Sequence, residues 1–351
     1  TEIEMPLPGI GVAPQSGALY SELTAVNRRA FVPRLFVQTY FASPTLFYMM
    51  GNAQRAAGGL NQVTIPMQGQ SMVQGQWTGY GGGFNSPTIT PGIQNGQFNL
   101  AYWVVPVPLP FGETIIQATD REISILKARM NDVRAVTVQN MASKIFTNNT
   151  ANPLMPNSFL DAFNDGSVIP SYGGISRNAA GNTAFKGQYV NMGAGTWATV
   201  ATVGFTRSTL ATVLQYVTTQ AGGEAPTFLV MSPGDYATLN KDFIGIEQIN
   251  PAVGSSYTMD TTARSSFPNL VVSGVPIFSD YFCPAGSAFA VNVKYTSMYL
   301  SEDAAFDFSG FYSLVPLGQM GQQGVVVVGY NMISAKSVSG AWLYNIGGAA
   351  F

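Results

Sequence analysis

Between Gln62 and Met67 the chain alternates. Val63, Ile65 and Met67 interleave with Gln62, Thr64 and Pro66, the period of a half-buried strand. "SMVQGQW" continues extended. "GYGGGFNSPTITPG" is turn material, with three consecutive glycines followed by Pro87 and Pro91. "FNLAYWVVPVPLP" reads as a returning strand ended by prolines. The pattern predicts a long two-stranded ribbon with a glycine-rich tip. The period then changes. No Gly or Pro occurs from Glu113 to Phe146, and Ile116, Ile123, Leu126, Met130, Val133, Met141 and Ile145 form a helical stripe. Glu113, Asp120 and Glu122 load the start and Lys144 the end, as the macrodipole prefers. At 1.5 Å per residue this helix would span ~50 Å. Its heptad is not sustained through Thr137, so a single strut across a sheet is expected rather than a coiled coil.

The remainder follows the same periods in shorter pieces. Residues 1–17 are rich in Pro and Gly and are expected to form a loose arm. Ser21 to Met50 reads as helical pieces broken at Pro33 and Pro44. Residues 147–204 are dominated by Gly and Asn and read as loops. In "TRSTLATVLQYVTTQAGG", Leu210, Val213, Leu214, Val217 and Ala221 share one helix face and Gly222 is the stop. "TFLVM" is a short buried strand. In "SPGDYATLNKDF", Ser232 is an N-cap, Pro233 the first helical residue and Asp235 the third after the cap. "LVVSGVPIF", "SAFAVNV", "TSMYL", "GVVVVGYNMI" and "AWLYNIGG" read as strands. No internal repeat is visible.

Composition alters this picture in one respect. Only 10% of the 351 residues are charged, against roughly 25% in an ordinary globular domain. From Ala56 to Gly112 there is no charged residue at all. A ribbon of this kind is at best marginal alone in water. Its seven Gln and its aromatics offer hydrogen bonds and contact area without the cost of desolvating an ion. The stretch therefore predicts an arm that lies on another surface, the alternative being strands of an intramolecular sandwich.

Charge and chemistry narrow the function classes. The net charge is −2, split as nine basic against seven acidic residues over 1–150 and seven against eleven over 151–351. Neither part is a polycation, so sequence-reading of nucleic acid is not expected. Cys283 is the only cysteine, which excludes an intrachain disulfide and a thiolate zinc site and suits a reducing compartment. "TEIEMPLPGIG" does not read as a secretory signal, and no apolar run is long enough for a transmembrane helix. The absence of histidine removes Ser-His-Asp triads, Cys-His pairs and HExxH zinc sites. Neither a GxxxxGK loop nor a GxSxG elbow occurs. Glu302, Asp303 and Asp307 cluster and read as solvated loop charges. An enzyme is not expected, and no residue is assigned to catalysis, a cofactor or a metal.

The order of these pieces resembles the major capsid proteins of tailed bacteriophages, whose fold is shared with encapsulin nanocompartments and the herpesvirus capsid floor. "FVPRLFVQTYFASPTLFYMM" looks like the family's N-terminal arm, the uncharged hairpin like its extended loop, and 113–146 like its spine helix. "SYGGISRNAAGNTAFKGQYVN" resembles the segment that follows, and "TFLVMSPGDYATLNKDF" the axial domain. In "LVVSGVPIFSDYFCPAGSAFAVNVKYTSMYL" a G-x-P strand, a P-x-G and a strand ending in Asn come in the family's order.

The resemblance implies an α+β, tailed-phage major capsid fold: an N-terminal arm (1–51), an extended β-hairpin loop (52–112), a peripheral domain (113–205) with the spine helix 113–146, an axial α/β domain (206–310) and return strands (311–351). It implies hexamers and pentamers of an icosahedral head around double-stranded DNA, in a virion assembled in the host bacterial cytoplasm. Scaffold, portal and decoration proteins would be further partners, and no membrane is involved. The extended loop would contact a neighbour through Gln62, Met72, Trp77, Tyr80, Phe84 and Gln97. Phe111 is a further aromatic anchor, and Trp103 is assigned to core packing. Arg28, Arg29, Arg34, Arg121, Lys127, Arg129 and Arg134 would face the interior, meeting DNA or neighbours. For the helix basics, pairing with Glu122 and Asp132 is the simpler reading. Some relatives crosslink a loop lysine to a neighbour's asparagine; residues 56–112 hold no lysine, so this loop cannot. Thr1 would follow Met removal or a maturation cut, and no fused scaffold is expected. The rival readings are an encapsulin-type shell and, in a different class, a β-rich surface-layer or adhesin protein.

Overall fold

The computed structural model describes residues 43–57, 59, 61–69, 77–82, 92–110, 125–150, 152–193, 195–197, 200–201, 204–247, 270–314 and 321–346. In chain order the elements are α1 (Pro44–Gly51), β1 (Gln54–Ala56), β2 (Gln62–Gln68), β3 (Ile93–Asn99), β4 (Ala101–Pro110), α2 (Ile125–Lys144), α3 (Phe159–Ala162), β5 (Ser171–Tyr172), β6 (Ile175–Ser176), β7 (Gln188–Asn191), β8 (Thr196–Trp197) and β9 (Val200–Ala201). They continue with α4 (Arg207–Gln220), β10 (Phe228–Met231), α5 (Pro233–Glu247), β11 (Leu270–Val272), β12 (Val275–Ser279), β13 (Ser287–Val291), β14 (Thr296–Ser313), β15 (Gly321–Ser334) and β16 (Ala341–Tyr344).

The described residues fall into two compact units. The larger holds those within Phe41–Val104, Thr137–Asp307 and Val327–Phe351, and the smaller those within Val105–Val136 and Phe308–Val326. The centre of the larger unit is a six-stranded sheet in the order β11-β12-β10-β13-β16-β7. β10 runs parallel to β12 and antiparallel to β13, and β16 runs parallel to β7. Successive side chains of a strand point to opposite faces, and here both faces are apolar. Phe228, Val230, Phe289 and Val291 enter one core with Leu46 and Met49 of α1, Met141 and Ala142 of α2, and Phe159 of α3. Leu229, Met231, Ala288, Ala290, Ala341 and Leu343 enter a second core with Leu210, Val213, Leu214 and Val217 of α4 and Leu239 of α5. Each fully buried large side chain contributes about 1.5–3 kcal/mol. Rings do much of the first core's packing: Phe289 lies 5.8 Å from Phe159 and 5.7 Å from Phe146.

Local chemistry sets the helix ends much as the sequence implies. Ser232 Oγ accepts the Asp235 N–H at 3.2 Å and donates to its carboxylate at 2.7 Å. α4 starts at the Thr206 cap and is followed by Gly222 at φ +82°, a left-handed stop. Smaller and separate, the second unit's described core consists of Val107, Val133 and Val326, with Met130, Phe308 and Phe311 against it.

Several expectations are corrected. Pro44 opens α1, at the first position after the Ser43 cap, and the expected helical piece before it lies outside the described residues. The strut is described as helix only from Ile125 to Lys144, so its expected start at 113–124 lies outside the described residues, while Ile145 and Phe146 form a turn. "LVVSGVPIF" is two strands, not one: β11 and β12 pair around Ser273 (φ +52°) and Gly274 (φ +80°). A two-residue turn with both φ positive is the hairpin geometry that matches strand twist. Glu302, Asp303 and Asp307 sit on β14, an 18-residue strand, not on a loop. Asp303 accepts the Gly59 N–H at 2.6 Å. The expected loop region 147–204 carries the Ser158–Asp161 capping box of α3 and contributes β7 to the main sheet. That sheet is thus wider than the stretch 206–310.

Close backbone packing makes a direct test. A Cβ on Gly187 would collide with the Phe163 backbone, whereas one on Gly51 would meet nothing within 4 Å. Gly187→Ala is expected to cost about 3 kcal/mol or more. Gly51→Ala is expected to change stability by less than about 1 kcal/mol. Thermal or denaturant unfolding of the two variants against the parent checks both.

Candidate assembly surface

The uncharged ribbon exists at its base as β2 and β3, paired antiparallel from Gln62↔Asn99 to Gln68↔Ile93. The Gly69 N–H bonds the Gly92 carbonyl at 2.9 Å and closes the pair toward the tip. One correction applies. The expected return strand is two elements, since β3 ends at Asn99 and, after Leu100, β4 joins a different sheet, ordered β1-β14-β15-β4.

The base has an inner and an outer face. Met67 (7% exposed), Gly96 and Phe98 (2% exposed) turn inward. The Phe98 ring lies 5.0 Å from that of Tyr172. Gly173, at φ +58°, lies where a Cβ would strike the Phe98 ring, so only glycine fits there. The Gln97 N–H donates to the Gly173 carbonyl at 2.9 Å, and Gln94 Nε2 to Asn182 Oδ1 at 2.8 Å. The base is therefore seated on the 171–185 segment of its own chain.

The outer face is different. Gln62, Thr64, Pro66 and Gln68 on β2 face Asn99, Gln97, Asn95 and Ile93 on β3, and all eight are exposed. None carries a charge. Gln62 and Asn99 bond each other side chain to side chain at 3.2 Å. The 69/92 pairing fixes the ladder, so the backbone groups of residues 62, 64, 66 and 68 point away from β3. Pro66 removes one donor from that outward row.

The tip is more exposed still. Trp77 (104%) and Tyr80 (112%) are not shielded by any of the described residues. Two large aromatics held fully in water, flanked by Gly79, Gly81 and Gly82, are unusual for an isolated surface. On β4, an edge strand, Tyr102 and Val104 are also exposed, at 47% and 51%. Trp103, between them, is half-buried against the first core, as the core assignment expected.

The expected contact residues separate accordingly. Gln62, Trp77, Tyr80 and Gln97 lie on exposed positions of one ribbon. Met72 and Phe84 fall outside the described residues, as do Phe111, Arg28, Arg29, Arg34, Arg121 and the Lys127 side chain. Arg129 Nη1 donates to the Pro108 carbonyl at 2.9 Å, and Arg134 is exposed on α2.

A residue that sequence reading passed over anchors this region. Arg177 is 1% exposed. Its Nε donates to the Phe185 carbonyl (3.2 Å), Nη1 to Ile169 (3.4 Å) and Nη2 to Asp161 and Ala162 (2.8 Å each). Burial pulls its guanidinium down to about 10, against the favourable pull of Tyr172 and Asp161. Burial likewise raises the Asp161 carboxyl, opposed by hydrogen bonds from Ser158 and Asn149. Nothing short in the sequence marks Arg177, but Ser158 followed three residues later by Asp161 is a readable cap signal beside it. Elsewhere, burial and then Asp280 and Asp235 push the Cys283 thiol well above its ordinary value, so it is held as a neutral thiol.

No protein-family model and no curated protein matches the chain. Solved structures do. The capsid asymmetric unit of cyanophage A-1(L) is similar at TM-score 0.67 and 15% identity, over 93% of this chain and 99% of that one. The holo-SrpI encapsulin complex from Synechococcus elongatus PCC 7942 is similar at 0.55 and 11%, over 97% and 98%. The capsid of Myoviridae phage XM1 is similar at 0.54 and 12%, over 95% and 99%. At these identities the likeness is one of fold. A two-faced sheet, a paired and uncharged ribbon and a long helix, matched along nearly the whole of three shell subunits, make this the tailed-phage major capsid fold.

Proposed function

We propose that the chain is a structural protein whose copies assemble into hexamers and pentamers of an icosahedral shell enclosing double-stranded DNA. The observation that carries this is the end-to-end likeness to the cyanophage A-1(L) capsid subunit, 99% of which is covered. The exposed, neutral ribbon is the second support. Its aromatic tip is stabilised when a sister copy covers it, and no ion has to be desolvated in the process.

In this reading residues 1–51 are an arm, 52–112 the loop laid over a neighbour, 113–205 a peripheral domain, 206–310 an axial domain at the centre of each capsomer, and 311–351 strands returning to both. Gln62, Met72, Trp77, Tyr80, Phe84 and Gln97 contact the neighbour. Arg28, Arg29, Arg34, Arg121, Lys127, Arg129 and Arg134 face the interior. Portal, scaffold and decoration proteins are further partners, the virion is the destination, and assembly takes place in the bacterial cytoplasm. A second reading, an encapsulin-type compartment, is favoured by the match to the SrpI encapsulin over 97% of this chain. The nucleic-acid content of purified particles separates the two: DNA-filled shells support the first, protein-filled or empty shells the second.

Negative-stain microscopy of the purified protein is the primary test. Closed icosahedral shells are expected, and a stable monomer at high concentration would refute the reading. Replacing residues 70–91 by Asn-Gly closes the hairpin at the Gly69–Gly92 pair and removes only the tip. That variant should fold but give few or heat-sensitive shells. Trp77→Ser with Tyr80→Ser should leave subunit unfolding within about 0.5 kcal/mol of the parent, because both side chains are exposed. Per contact, shells of this variant should lose about 2 kcal/mol or more, seen as a lower dissociation temperature. Normal shells from both variants would remove the ribbon from the assembly mechanism.

The sign of the salt response is also fixed. Residues 56–112 hold no ion pair to screen. The difference in shell stability between parent and double variant should stay level or grow from about 0.05 to 0.5 M NaCl. A difference that shrinks with salt would mean that charges carry the contact.

A further inference from the structure

A cavity of about 40 Å³ lies under the ribbon base, lined among others by Met67, Gln68, Tyr172, Arg177, Phe185 and Lys336. On this measure one water needs about 10–15 Å³, so the space suits two or three waters or one monatomic ion. None of its lining residues is acidic, and two are cations.

The hydrogen-bond inventory of these groups is unbalanced toward donors. Arg177 has five N–H donors and makes four bonds, all to neutral carbonyls, which leaves one hydrogen on Nη1. The nearby Asp161 carboxylate is engaged elsewhere, by the Ser158 N–H (2.7 Å), the Ser158 hydroxyl (2.8 Å) and the Asn149 N–H (3.4 Å). The Tyr172 hydroxyl accepts the Ser334 N–H at 2.9 Å, and its own proton has no acceptor among the described residues. Lys336 Nζ gives one of its three protons to the Ala221 carbonyl at 2.7 Å, lies 5.0 Å from the Tyr295 ring centroid, and shares the charge of Glu224 with Lys294. A guanidinium 1% exposed with no carboxylate bonded to it among the described residues is costly. Its downward shift to about 10, caused first by burial, has the same origin. A negative ion beside it would offset that cost.

We propose that this cavity is a binding site for one small monovalent anion of halide size, held by Arg177, Tyr172 and Lys336. Met67 and Gln68 belong to β2, so the ion would tie the ribbon base to the segment beneath it. The proposal is independent of whether the chain forms a shell.

The test is a chloride titration of the full chain at constant ionic strength, with gluconate as the balancing anion. Unfolding temperature is one readout, and anomalous diffraction from bromide-soaked crystals the other. One site filled at tenfold its dissociation constant should raise the midpoint saturably by about 2–4 °C. Bromide should substitute for chloride, and Lys336→Met should abolish the dependence. If Lys336→Met fails to fold, Lys336→Gln together with the parent's bromide density replaces it. A midpoint that follows ionic strength whatever the anion overturns the proposal, as does a cavity without bromide signal. Bromide density without a linked shift means an adventitious ion only, and also overturns it.

Discussion

Everything in the larger unit depends on a sheet that must be dry on both sides. A strand buried on both faces cannot place a polar residue anywhere along its middle. β10 meets this with Phe228, Leu229, Val230 and Met231, all buried, and β13 with Ala288 to Val291. The faces are not equivalent. Phe228 and Phe289 fill one side with rings, while Ala288, Ala290 and Ala341 keep the other shallow, so α4 can lie close. Large residues on one face and small ones on the other decide which helices dock where, and with them the seat of the ribbon.

The ribbon follows the opposite rule at each end. At its base it belongs to its own chain, because Phe98 and Met67 are buried and Gly173 admits the Phe98 ring. At its tip it has no shelter from the described residues of its own chain. The base thus packs within its own chain, as the intramolecular alternative expects. Neutrality suits the base, since a buried surface tolerates no unpaired ion.

Much of this was legible from residues close in sequence. The Ser232 cap, the Gly222 stop and the alternation of Val63, Ile65 and Met67 are set by neighbours within four positions, and they appear as read. What was not legible depends on distant partners. β14 hides its strand character because Phe306 takes a left-handed φ of +59°, which breaks the alternation among Glu302, Asp303 and Asp307. β7 looks like loop because its Tyr189 and Val190 make sense only beside Trp342 and Leu343, far along the chain. The inward face of the ribbon was readable, but its seat was not, since a glycine pair at 173–174 gives no hint of the ring above it. The exposed tip aromatics were identified by type, and Arg177 was missed because a lone arginine in a glycine-rich segment looks like any solvated charge.

Pro66 forbids one form of association. A flat, uncharged, amide-rich strand edge is the kind of template on which identical chains stack without limit. With no amide hydrogen at residue 66, a second ribbon laid along β2 finds its ladder interrupted after the first rungs. Pro66 thereby limits open-ended stacking of identical chains along this edge.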